Sequence, residues 1–138
     1  MGNGLGENIM PIYIKFDKKL KILRVKATGS LNINEYRTAM QQITSDIDYP
    51  ANVPTIWDVR AFDFVDFDSQ MAKNTSTIRK FFKKRTGAKI AFIVSDPLGY
   101  GMARMFQVLT ATDDDSLVSY NYEEAELWLK TAQQNGST

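Results

Sequence analysis

The sequence predicts a single-domain α/β fold on a mixed β-sheet, with elements in the order ββαβαβαβα. Three observations carry this. Two alternating apolar segments near the start are joined by a short polar turn, which reads as a hairpin. Afterwards, short apolar runs alternate with segments whose apolar residues recur every three or four positions. Strands separated by helices call for right-handed crossovers, so the later strands should run parallel. The chain has 138 residues, 43% hydrophobic and 24% charged, enough for one core without disulfide or metal support. The domain is expected over residues 10–131, with 1–9 and 132–138 as disordered tails.

Taken in order, residues 10–16, "MPIYIKF", alternate as a half-buried strand does. "DKK" turns the chain into "LKILRVKATG", where Leu20, Ile22 or Leu23, and Val25 continue the pattern until Gly29 ends it. Tyr36, Met40, Ile43 and Ile47 then stand four, three and four apart and line one face of a first helix, capped by Asn32 or Asn34. Two prolines in "YPANVP" break that helix before "TIWDV", a short strand of the buried kind. Met71, Thr75, Ile78 and Phe82, widened by Phe81, mark a second helix that Gly87 stops. "AKIAFIVS" is the clearest buried strand. A third helix over 99–110, a strand over 116–122 and a last helix burying Ala125, Trp128 and Leu129 complete the order.

Composition removes several chemistries. There is no cysteine and no histidine, which excludes disulfides, thiol nucleophiles, Ser-His-Asp triads and zinc sites built on imidazole or thiolate. Seventeen basic against sixteen acidic residues leave a net charge of +1, so nothing global draws the chain to nucleic acid or an anionic membrane. The apolar runs are too short to insert in a bilayer, and no leader pattern opens the chain, so a cytoplasmic location is expected.

Three stretches could carry chemistry. In "DVRAFDFVDFDS", residues 58–69, Asp58, Asp63, Asp66 and Asp68 crowd a strand exit and a helix start. Carboxylates there can hold magnesium, but the preferred reading is helix capping and dipole compensation, so no metal is expected. Ser69 stands where a phosphate is well tolerated, although on physics alone a capping serine is the preferred reading. "RKFFKKR" interleaves cations and aromatics, and is read as a buried Phe stripe flanked by cations that complement a helix C-terminus. In "SDPLGYGMARMFQ", residues 95–107, the two glycines fall short of a phosphate or dinucleotide loop and are read as easing a sharp turn, with Ser95 or Asp96 capping. Met102, Met105, Phe106 and Leu109 form that helix's core face, which leaves Arg104, with Tyr100, without a packing role; an ordinary solvated arginine is the preferred reading, and an anion or partner contact the alternative.

The element order, together with "TIWDVRAFDFVD", "GAKIAFIVSD", "GYGMARMFQ" and "YEEAELWL", resembles the SpoIIAA-like group of STAS-type domains over residues 10–130. The resemblance implies four or five strands, helices mainly on one face and a noncatalytic regulatory or protein-interaction module without cofactors. It also implies Ser69, after Asp68, as a phosphorylation position, though Gln70 and Met71 replace the small residue and glycine of the antagonist pattern.

Two functions follow as expectations. One is an interaction module, with a protein partner or a second copy of itself, using the surface around Asp58, Arg60, Asp66, Asp68, Ser69, Tyr100 and Arg104. The other is a carrier for a small apolar or anionic, lipid-like ligand between sheet and helices. Its pocket would draw on Tyr36, Trp57, Phe62, Phe64, Phe67 and Phe106, with Arg60 or Arg104 receiving the anionic group. The segments 58–69 and 99–104 both follow strands, and should meet at one rim if those strands are parallel neighbours.

Overall fold

The structure, a computed structural model, describes residues 11–50, 52–65, 67–82, 89–110 and 116–136, with only the backbone of 132–136 and of Lys80 and Thr110. Asp66, Gly87 and the expected tail 1–9 lie outside the described residues, as do Lys83, Lys84 and Arg85.

A hairpin of β1 (Ile12–Asp17) and β2 (Ile22–Ala27) opens the fold. Then follow α1 (Ile33–Ser45), β3 (Thr55–Asp58), α2 (Ser69–Phe81), β4 (Ile90–Ile93), α3 (Pro97–Thr110), β5 (Ser116–Ser119) and α4 (Tyr122–Gly136). The sheet has five strands in the order β1-β2-β3-β4-β5. β1 is antiparallel to β2, and every later pairing is parallel. Both the element order and the mixed sheet are as the sequence predicts.

Because each crossover steps to the next strand in one direction, a common right-handed sense puts α1, α2 and α3 on one face. They do share a core there: Tyr36, Met40 and Ile43 of α1, Ala72 and Ile78 of α2, and Met102, Met105 and Leu109 of α3 pack with Leu23, Val25, Trp57 and Ile90. Ile22, Ile56, Ala91 and Ile93 project the other way and are covered by Ala125 and Leu129 of α4. Each strand thus divides its residues by parity, as a pleat requires. The helices lie three to one, and no described helix is long and apolar enough to cross a membrane.

Some local expectations need correction. Asn32 caps α1 by accepting from Glu35 N–H at 3.0 Å, and the helix ends at Ser45, so Ile47 falls past it and is 96% exposed. Phe81 is 78% exposed rather than buried, because the α2 stripe runs through Ala72, Thr75, Ile78 and Arg79. The third helix starts at Pro97, which suits a first helical position that needs no N–H donor. Gly99 and Gly101 are therefore inside α3 and do not make its turn. β5 ends at Ser119, since Asn121 caps α4 by accepting from Glu124 N–H at 2.9 Å. The backbone of α4 runs on to Gly136, into the segment expected as a tail, where Ala and Gln favour helix once Leu129 has docked it.

Candidate functional site

The chemistry-bearing residues after β3 and β4 do reach a common rim. β3 and β4 are parallel neighbours, and Ser95 Oγ donates to the Arg60 carbonyl at 3.0 Å. Yet the rim does not gather the expected cluster. Asp58 shares the parity of Ile56 and faces α4; its carboxylate accepts from Arg60 Nε at 2.9 Å, from Arg60 Nη2 at 2.8 Å and from the Arg60 backbone N–H at 3.1 Å. Burial works to raise the Asp58 pKa, but the Arg60 guanidinium and N–H outweigh it and hold the carboxyl below its ordinary range. The same pair raises Arg60. Arg60 also lies over the Tyr122 ring, 5.5 Å from its centroid.

Arg24 completes this side. It bonds Asp17 at 2.9 Å, Glu126 at 2.6 Å and the Tyr122 hydroxyl at 2.9 Å, and its guanidinium stands 5.6 Å from the Tyr122 ring centroid. Burial opposes its charge, but the bonds to Tyr122, Asp17 and Glu126 prevail and raise its pKa. The network clamps the start of α4 to the sheet.

The remaining acids of the loop serve the backbone. Asp63 accepts from Val65 N–H at 2.9 Å. Asp68, not Ser69, is the N-cap of α2, accepting from Met71 N–H at 2.9 Å; Ser69 is the first helical residue and is exposed. Among the described residues no three His, Cys, Asp or Glu side chains converge where they could hold a metal ion. In α3, Asp96 accepts from Gly99 N–H at 2.8 Å, so a side chain of the chain itself occupies the helix start. Tyr100 stacks on Tyr120 with centroids 5.4 Å apart. Arg104 is not free: it donates to Gln107 Oε1 at 2.9 Å, and Gln107 in turn donates to Ser116 Oγ at 2.8 Å, tying α3 to β5.

What the fold does assemble lies under the sheet. A cavity between the sheet and α1–α3 leaves about 80 Å³ open to the centres of water molecules. All six aromatics expected of a pocket line it: Tyr36, Trp57, Phe62, Phe64, Phe67 and Phe106. Phe62, Phe64 and Phe67 stack edge to face at 4.7 to 6.0 Å between centroids and form one wall. Their loop is tethered by a bridge from Phe62 to Gly29, with Gly29 N–H donating to the Ala61 carbonyl at 3.3 Å and Asp63 N–H to the Gly29 carbonyl at 2.7 Å. Gly29 has φ 73°, which L residues rarely adopt. Gly99 lies against the same loop, where an added Cβ would meet Phe64 Cε2 at 3.4 Å and Asp96 Oδ1 at 3.3 Å.

The cation in this wall is neither Arg60 nor Arg104. It is Arg79 of α2, 3% exposed, accompanied by Thr75 and Tyr36 as polar lining groups. Thr75 Oγ1 donates back to the Met71 and Ala72 carbonyls, both at 3.0 Å. Burial pushes the Tyr36 phenol up to about 12, against a smaller downward pull from the Arg79 charge. The sequence places Arg79 in a basic run and hides its role; the signal available was its position four residues after Thr75, about 40° round the helix and so on the inner stripe.

The arrangement is that of a noncrossing α/β sheet whose helices cover an aromatic chamber, and its fold is SpoIIAA-like. In structure the chain is similar to an uncharacterised protein of the DUF3478 family with a SpoIIAA-like fold from Shewanella loihica PV-4, with a TM-score of 0.61 and 18% identity over 91% of this chain and 99% of that one. No protein-family model matches the chain, and no curated protein is detectably similar in sequence.

Proposed function

We propose that the protein is a noncatalytic binding module that takes a small hydrophobic molecule into the cavity between the sheet and α1–α3. The cavity itself carries this reading. Close-packed interiors leave few voids larger than a water, whereas this one leaves about 80 Å³ and is lined by seven aromatic side chains and Met102. Its volume is of the same order as the ~150 Å³ of an apolar cavity that accepts benzene, and far from what a long chain fills. One ring or a short branched chain therefore suits it better than a long acyl chain.

Native mass spectrometry of gently purified protein, with thermal shifts across a panel of single-ring and short-chain compounds, tests the reading. A bound small mass, or a rise in Tm with any of these compounds, is expected. No co-purifying mass and no shift across the panel would defeat it.

A protein-interaction role is the second reading, and the exposed Tyr100–Tyr120 stack favours it, since paired aromatic faces suit a contact between copies. Sedimentation of the wild type and of a Tyr100→Ser, Tyr120→Ser double variant separates the two. An oligomer that the substitutions dissociate supports this role, and a strict monomer at all concentrations removes it.

A further inference from the structure

We infer that the cavity's ligand is a small hydrophobic monocarboxylic acid whose carboxylate is received by Arg79 and the Tyr36 hydroxyl. This rests on the proposed binding function and names its chemistry.

Two observations carry the inference independently. The first is Arg79, a permanent cation with 3% exposure in the wall of an otherwise aromatic and aliphatic cavity. A guanidinium has five N–H donors in a planar fork. The bonds that fix Arg79 in place therefore do not exclude a further, two-toothed contact with a carboxylate, the geometry the fork fits best. The second is Tyr36, which is 6% exposed and also lines the cavity. Its ring packs on Trp57 at 5.9 Å between centroids, while its hydroxyl makes no hydrogen bond among the described residues. Buried hydroxyls are nearly always satisfied, so one left open beside a cavity marks a place for an acceptor. Tyr36 feels the Arg79 charge, so the two groups act on the same region.

The rest of the wall sets the other end of the ligand. Phe62, Phe64, Phe67, Phe92 and Phe106 offer only apolar surface. Thr75 spends its hydroxyl proton on its own helix and adds no donor. A molecule with one anionic group and one compact apolar body matches this division; a neutral hydrocarbon offers the Tyr36 hydroxyl no acceptor, and a dianion has a second charge with no further cation in the wall to meet it.

Titration calorimetry with benzoate, benzyl alcohol and hexadecanoate, on the wild type and on Arg79→Gln, Arg79→Lys, Tyr36→Phe and Arg104→Gln, tests this. Benzoate should bind the wild type roughly ten- to a hundredfold more tightly than benzyl alcohol, the range a hydrogen-bonded charge supports. That preference should vanish in Arg79→Gln, return in part in Arg79→Lys, weaken in Tyr36→Phe and persist in Arg104→Gln. Should Arg79→Gln not fold, the acid-to-alcohol ratio in the wild type and in Tyr36→Phe still decides. Equal binding of benzoate and benzyl alcohol would overturn the carboxylate assignment while leaving the binding function intact. A preference that survives Arg79→Gln would overturn the role of Arg79. Tighter binding of hexadecanoate than of benzoate would overturn the limit on size. Failure of all three compounds to bind would defeat the binding function as well.

Discussion

Gly29 and Gly101 carry opposite expectations although both are glycines. Gly29, at φ 73°, holds the backbone bridge that tethers the aromatic loop, so Gly29→Ala should cost about 1 kcal/mol or more in urea unfolding. Gly101 sits inside α3, where an added Cβ meets nothing within 4 Å, so Gly101→Ala should gain roughly 0.5–1 kcal/mol. Asp58 gives a pH prediction. Its carboxyl is held below the ordinary range in the folded state, so its contribution is complete above the unfolded value of about 3.9 and is lost as pH falls through the folded value. Asp58→Asn should lower Tm at neutral pH, and the gap to wild type should close on acidification below pH 4. Aromatic identity at the cavity was legible in the sequence, because four of the six residues lie in the strand-to-loop segment 57–67 and the other two, Tyr36 and Phe106, on helix stripes. Arg79 was not, since its local company is basic and only the packing of α2 against the sheet shows which side it turns.

At the scale of elements, α4 is the separable piece. Among the described helices it alone covers the second face of the sheet, through Ala125 and Leu129, and it is clamped at its start by Arg24, Arg60 and Tyr122. Leu129 is fully buried, so Leu129→Ala should cost about 2–5 kcal/mol by thermal or denaturant unfolding while leaving ligand binding in the folded protein unchanged. Element order was readable because strand parity and helix period differ so plainly here. Boundaries were less so: Pro97 and Asp96 start α3 before its glycines, and Asp68 takes the cap that Ser69 could equally have taken. Which of two adjacent polar residues caps a helix is decided by backbone geometry that the residue types alone do not specify.

Across the whole molecule, strand order decides where a ligand can go. Open α/β sheets bind at the rim where the order reverses, but here it runs β1 to β5 without reversal. The rim is filled instead by the Asp58–Arg60 pair, the Ser95 contact and the capping acids. Space is left inside, beneath the loop that Gly29 tethers. The sequence left both the rim and the space between sheet and helices open as sites, because the choice depends on how side chains fill each once the strands are paired. Filling the space should block it: Ala103→Leu, at a buried wall position, should abolish binding and cost no more than about 1–3 kcal/mol. The chain's two tryptophans supply a direct reading, since Trp57 lines the cavity and Trp128 packs on the opposite face of the sheet. In a nuclear magnetic resonance titration with benzoate, the Trp57 indole N–H signal should move in a saturable way while that of Trp128 stays in place; two motionless signals, or equal shifts at both, would contradict a ligand site beneath the sheet.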